Sequence, residues 1–362
     1  MEFALFNVLQ QRARDKSSGQ VLAEAVEHTR IAEQLGFAAA WFAEHHFSNY
    51  SLCPSPLMML AHCAGVTGRI RLGSAVIVPP LYMPARLLGE IAMVDALSGG
   101  RLDLGVGSGY QAYEFERFGV DLGDNKAMTH EMLDIIEQGL AQPHFSYQGK
   151  HYQQQQTAIN VRPVQAPHPP IWIAGNDPEF HRRAAVKGYT PFISGVLGSG
   201  RRLGRLREQV AEAFAAEGRD PETMPLGVLR FCHVTHDRKD VEAYVDSARY
   251  QQRIAVSLRT RRETVVDDYW IAEEPFDEEL PLEKIEANLP LGDPETVAER
   301  LVEEIRLYRP TQMAIYFQVG DVDSAKATRS MELLATDVIP AIEKAFGRPL
   351  AEINRPVPAA AE

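Results

Sequence analysis

Apolar, β-branched runs alternate with helix-period segments along most of the chain, and this repetition restricts the fold more than any other feature. The run at 3–9 precedes a segment, 20–35, that sets Leu22, Ala25, Val26, Ala32 and Leu35 on one face, with Gly36 placed to stop it. Further strand-like runs fall at 38–44, 70–78, 101–106, 171–174, 190–194, 226–234 and 312–319, giving eight in all. Pro54 and Pro56 open one intervening helix and Pro84 another, and a third is predicted over 128–140. Each strand–helix–strand passage demands a crossover, and repeated crossovers imply a parallel sheet. Eight strands favour a closed (β/α)8 barrel, the TIM barrel of α/β proteins, over an open doubly wound sheet.

Two stretches interrupt the alternation. Residues 142–170 are rich in Gln, Pro and His and read as an excursion from the barrel. Between the seventh and eighth strands, residues 257–290 form an insertion whose 263–286 portion holds ten acids and one lysine, which is too polar for core. It reads as a solvated insertion or as a lid over the barrel mouth. The organisation expected is one barrel domain over 1–346, including that insertion, with 347–362 as a loosely ordered tail rich in Pro and Ala.

A formal charge of −12 disfavours nucleic acid and anionic lipid as partners and leaves a small molecule as the better expectation. The first residues lack the charge order and apolar length of a signal peptide, and no window has the length of a membrane span, so a cytoplasmic protein is expected. Three cysteines, Cys53, Cys63 and Cys232, match no zinc spacing and suit a reducing compartment.

Candidate chemistry gathers at predicted strand ends, where barrels of this type hold their reactive groups. The stretch WFAEHHF, 41–47, ends the second strand with Glu44, His45 and His46. Side chains alternate along a strand, so the two histidines face different ways and one of them is structural. Adjacent histidines chelate poorly, and no His-x-His or His-Glu-x-x-His spacing occurs, so no metal is expected. In GGRLDLGVGSG, 99–109, Tyr110 stands where a dinucleotide fingerprint needs its last glycine. Gly107 instead clears room for a flat ring across the mouth, or for tight packing in a barrel corner. In AGNDPEF, 174–180, Gly175 allows an anion close to free amides at a helix start, while Asp177, as a cap, competes for the same amides.

The succession WFAEHHF, RIRLGSAVIVPPLYMPARLLGEIAMVDALSGGRLDLGVGSG, YEFERFGVD and IWIAGNDPE closely resembles the bacterial luciferase-like flavin-dependent monooxygenase family. The likeness runs from residue 1 to about 195 and continues more weakly through LPLGDPETVAERL to the last helix. It implies a (β/α)8 barrel that takes reduced FMN from a separate flavin reductase and oxygenates an organic substrate with O2 through a flavin hydroperoxide. Position by position, it makes His45 the acid–base residue, with Glu44 beside it. It puts a non-proline cis peptide under the flavin at Ala75–Val76, the ring over Gly107, and the phosphate near Ser108, Gly175 and Asn176. The light-emitting subunit carries cysteine and arginine where this chain has Gly107 and Ser108, so luminescence is not expected. Arg182 or Arg183 would replace the missing arginine.

The same fold family contains F420-dependent hydride-transfer enzymes and flavin-binding proteins without turnover, and both remain alternatives to the FMN monooxygenase. Substrate contacts are expected from Phe6, Cys53, Tyr82, Tyr110 and Phe192. Few basic residues mark the strand ends, which disfavours a strongly anionic substrate unless Arg230 reaches the pocket. Members of the family often dimerise through helices after strands two and three, where Met58, Met59 and Leu60 would suit a homodimer interface.

Overall fold

The structure, a computed structural model, describes residues 1–354. Its central sheet is a closed parallel barrel of eight strands: β1 Glu2–Asn7, β2 Ala39–Phe42, β3 Arg71–Ser74, β4 Leu102–Val106, β5 Ile171–Ala174, β6 Thr190–Ser194, β7 Gly227–Phe231 and β8 Gln312–Tyr316. Pairing of Ala4 with both Ala39 and Ala314 closes the cylinder. The (β/α)8 expectation is met, with shorter strands than the apolar runs suggested. The third run breaks after Ser74, and a cis peptide follows at Ala75–Val76.

Helices cover the outside: α1 Ser18–Gln34, α2 Pro56–Ala64, α3 Pro84–Ser98, α4 Ala112–Phe118, α5 Asn125–Ala141, α6 Pro178–Lys187, α7 Gly200–Ala216, α8 Arg238–Thr260, α9 Leu282–Asn288, α10 Pro294–Tyr308, α11 Ser324–Leu333 and α12 Ile339–Phe346. Their ends follow local chemistry. A capping box joins Ser17 and Gln20 at the start of α1, and Asp177 with Pro178 opens α6. The periodicity left α4 unseen because it has only seven residues.

Large rings fill the barrel. Trp41 lies 4.9 Å from Trp172 and 5.2 Å from Phe192 by ring centroid, and its indole N–H donates to Gln312 Oε1 at 2.8 Å. The 142–170 excursion folds as a hairpin of Phe145–Gln148 and Gln153–Thr157 outside the barrel sheet. Segment 257–290 comprises the end of α8, a small hairpin of Val265–Asp267 and Trp270–Ile271, and α9. It seats on loops following β1 and β2: Asn49 N–H donates to Tyr269 O, Ile271 N–H donates to Asn49 Oδ1, and Glu273 pairs with Arg12 at 3.0 Å. Of the expected loose tail, 347–354 is described: Leu350–Glu352 form a turn, and Ile353 is fully buried with its carbonyl accepting from the Met1 amino group. Residues 355–362 lie outside the described residues.

Candidate active site

The loop after β2 turns sharply, with Phe47 at φ +61°. The strand has ended at Phe42, and the two histidines, in the irregular backbone beyond it, face different ways. His46 is buried, its Nε2–H donating to Glu44 Oε1 at 2.9 Å. Glu44 is 2% exposed and accepts also from Val78 N–H at 3.1 Å and the Tyr82 hydroxyl at 2.9 Å. Burial raises its carboxyl above the ordinary range, opposed by His46, Tyr82 and the Val78 amide. With three donors on its oxygens, Glu44 holds neighbours in place. The sequence reading had set it among the reacting groups.

His45 faces the mouth, its side chain 12% exposed. Its Nδ1 lies 3.1 Å from Glu114 Oε1, and the same oxygen accepts the His46 amide at 2.6 Å. A carboxylate oxygen accepts, so Nδ1 is the ring nitrogen assigned the proton and Nε2 is left on the other side of the ring. That Nε2 has no hydrogen-bond partner among the described residues. The Tyr50 and Tyr110 rings stand edge-on to the imidazole at 4.7 and 5.9 Å. Glu114, in the first turn of α4, escaped the sequence reading; its only signal was an acid inside YEFERFGVD.

The other expected residues separate into two sets. Ala75, Val76, Gly107, Ser108, Gly175 and Asn176 all follow the carboxyl ends of adjacent strands β3, β4 and β5. At Gly107 the absent side chain makes room for Val76, since a Cβ there would stand 2.8 Å from Val76 Cγ2. Tight packing therefore accounts for Gly107 without any ring above it. Gly175, at φ +123°, opens to solvent, and a Cβ there would meet nothing within 4 Å. Asn176 beside it is exposed. Asp177 caps its own helix through Glu179 N–H at 2.9 Å and pairs with Lys126. An anion at this end thus finds open backbone and one cation nearby, with one amide already taken, and the residues fit a phosphate on those terms. Ser108 makes only a 3.5 Å contact to Gly109 O. Neither Arg182 nor Arg183 takes the missing arginine's place: Arg182 pairs with Glu217, and Arg183 pairs with Asp134 at 2.7 Å and Glu137 at 3.4 Å.

Among the expected substrate contacts, Tyr110 is 44% exposed at the mouth and Tyr82 is tied to Glu44. Phe6 and Phe192 sit lower, inside the packed barrel at 6% exposure each. Cys53 is fully buried, its carbonyl accepting from His45 N–H, and burial together with Glu44 pushes its thiol up to about 12. Arg230 does not reach the pocket. It faces the helical layer, bonded to Glu304, Gly198 O and Asn288 O, because a buried guanidinium needs acceptors on every side. Leu60 is core, whereas Met58 is 75% exposed and Met59 lines an apolar groove of about 740 Å³ with Leu22 and Val26. Among the described residues no helix is long and apolar enough to cross a membrane.

The profile of the luciferase-like monooxygenase family matches residues 1–309, and the chain belongs to that family. An uncharacterised Sinorhizobium fredii protein, y4vJ, is 44% identical over 96% of this chain and 99% of its own length. The oxygenase component of a flavin-dependent trigonelline monooxygenase from Acinetobacter baylyi is 27% identical over 95% and 96%. Three solved structures share the fold. The monooxygenase RslO1 from Streptomyces bottropensis has a TM-score of 0.81 at 22% identity, covering 94% of this chain and 99% of its own. The oxygenating constituent of 3,6-diketocamphane monooxygenase from Pseudomonas putida, in complex with FMN, scores 0.77 at 21% over 94% and 98%. The F420-dependent tetrahydromethanopterin reductase of Methanopyrus kandleri scores 0.70 at 19% over 94% and 99%.

Proposed function

We propose that this protein is the oxygenase component of a two-component flavin monooxygenase, taking reduced FMN from a separate reductase and using O2 to oxygenate a small organic substrate. The observation that carries this reading is the His45–Glu114 pair at the mouth, with His45 Nε2 uncommitted. Reduced FMN, when bound, supplies the electrons for oxygen chemistry. Glu114 keeps the Nδ1 proton in place, so His45 accepts a proton at Nε2 and returns it from the same atom. The negative carboxylate also favours the imidazolium formed in between. Glu44 acts as a positioning residue through His46, Tyr82 and the Val78 amide. Gly175 and Asn176 are the residues that would hold the cofactor phosphate, with Ser108 on the neighbouring strand end and Ala75, Val76 and Gly107 towards the ring. Segment 257–290, anchored on the β1 and β2 loops, is read as a cover that keeps water from the reacting centre.

The Acinetobacter relative's description as an oxygenase component and the FMN complex of the Pseudomonas neighbour support FMN and a separate reductase. The exposed apolar side chains Met58, Met93 and Leu97 on α2 and α3 support a homodimer, and a cytoplasmic location accompanies the reading. The second reading, F420-dependent hydride transfer, is favoured by the Methanopyrus neighbour and uses the same histidine. Anaerobic titration with reduced FMN and, separately, reduced F420, followed by admission of air, decides between them. Tight FMN binding with oxygen uptake that a reductase and NADH sustain is the expected result. Preference for F420 without oxygen uptake moves the protein to hydride transfer, and binding of flavin with no turnover makes it a flavin carrier.

A further inference from the structure

Beside His45 lies a second polar array that the acid–base pair does not use. Tyr50 OH accepts from Gln251 Nε2 at 2.7 Å and stands 3.4 Å from Tyr110 OH, which in turn lies 3.4 Å from Gln111 Nε2. Two phenols thus bridge two carboxamides, and both phenol rings edge the imidazole. Gln111 is fully buried and Gln251 is 7% exposed. Each leaves its carbonyl oxygen without a hydrogen-bond partner among the described residues. A buried polar atom left unmet is costly, and a leucine would fill either position without that cost. Two such atoms belong to one network whose phenols edge the reacting histidine, and a hydrogen-bonding group that arrives with the substrate would complete it.

We propose that Gln111 and Gln251 recognise the substrate, and that the group they recognise is neutral and hydrogen-bonding, of the carboxamide, lactam or hydroxyl class. The conclusion does not depend on which way either amide is turned. As drawn, the free atom accepts from a ligand N–H or O–H; with oxygen and nitrogen exchanged, it donates to a ligand carbonyl, and a carboxamide answers both. Charge points the same way. Glu114 stands behind His45, Arg230 is locked on Glu304, and Arg261 is paired with Glu116 and Glu263. Arg117 on α4 is turned onto the Tyr113 ring and carbonyl, and Arg259 lies at the exposed end of α8. An anionic group beside the imidazole would meet the Glu114 carboxylate behind it.

The inference rests on reading His45 as the reacting centre, and its test is separable from that reading. Equilibrium dialysis of benzamide and of benzoate, with and without reduced FMN, compares a neutral and an anionic probe of matched size. Benzamide should bind at least about tenfold more tightly, and Gln251→Leu or Gln111→Leu should shrink the ratio to within about twofold. Thermal stability of these variants should stay near that of the parent, because each substitution removes an orphan oxygen together with one hydrogen bond to a phenol. Equal or tighter binding of benzoate, a benzamide preference untouched by both variants, or no binding of either probe overturns the proposal. A preference that survives where reduced FMN fails to bind overturns the flavin reading instead and leaves this one standing.

Discussion

Arg230 on β7 and His45 after β2 are each drawn against a glutamate from a helix far away in the chain, Glu304 on α10 at 74 residues and Glu114 on α4 at 69. The outcomes differ. Arg230 is wholly shut away, facing the helical layer, with its donors spent on Glu304 and two backbone carbonyls. His45 spends one ring nitrogen on its glutamate and keeps the other at a partly open mouth. A buried charge pair that satisfies itself stabilises a packing arrangement and has nothing left for a ligand. A pair that stops one bond short has an atom available for chemistry. His233, just past β7, is another buried titratable group on that side of the barrel. It is 1% exposed, stacks on Tyr244 at 4.9 Å, and burial lowers its imidazole to about 4.

Breaking the closed pair should have the largest effect. Arg230→Ala leaves Glu304 buried without its partner, and urea unfolding should show a loss of about 3–5 kcal/mol. Turnover per folded molecule should stay near that of the parent. A loss below about 1 kcal/mol would remove the contrast drawn here between the two pairs.

His233 gives the next effect, through pH. Its folded value of about 4 lies below the unfolded value of roughly 6.5, so the unfolded chain takes up a proton that the folded one refuses. This contribution is fully present above roughly pH 6.5 and is lost as pH falls towards 4, by up to about 3 kcal/mol. Unfolding midpoints measured across that window should fall less steeply in His233→Phe; identical slopes would show that the imidazole is not held neutral.

On the open side, His45→Ala should cut turnover by roughly a hundredfold or more while the melting temperature and flavin affinity hardly move. Normal turnover in that variant would take the acid–base role away from His45. The smallest effect sharpens the comparison. Glu114→Gln keeps an acceptor for Nδ1–H and removes the charge, so turnover should fall roughly tenfold and the acidic limb of its pH profile should shift to lower pH as the imidazolium loses support. Glu114→Gln with the parent's pH profile would make Glu114 a purely structural tie.

Much of this was legible without coordinates, because it is written in local pattern. The eight strands followed from apolar runs separated by helix-period segments. Asp177 as a cap followed from Asn-Asp-Pro-Glu, whereas His45 and His46 face different ways although the strand ends at Phe42, before either of them. Other readings stayed open where a residue's neighbour lay far off in sequence. Gly107 allowed either room for a ring or tight packing, and Val76, on the neighbouring strand's extension, supplies the close contact. Whether Arg230 reaches the pocket was undecidable from sequence, because Glu304, which holds it, lies 74 residues on. Gln251 on α8 and Gln111 before α4 carry no motif at all; the fold joins them only by bringing Gln251 to Tyr50 and Tyr50 to Tyr110, the neighbour of Gln111.

The sequence alone determined the barrel, the family and the place of the His pair, since periodicity and ordered motifs are properties of neighbouring residues. Only the tertiary structure decided which histidine keeps a free nitrogen, which glutamate holds it, and which buried polar atoms still lack a partner. Those answers depend on contacts across 60 to 201 residues of chain, which exist only once the sheet has closed.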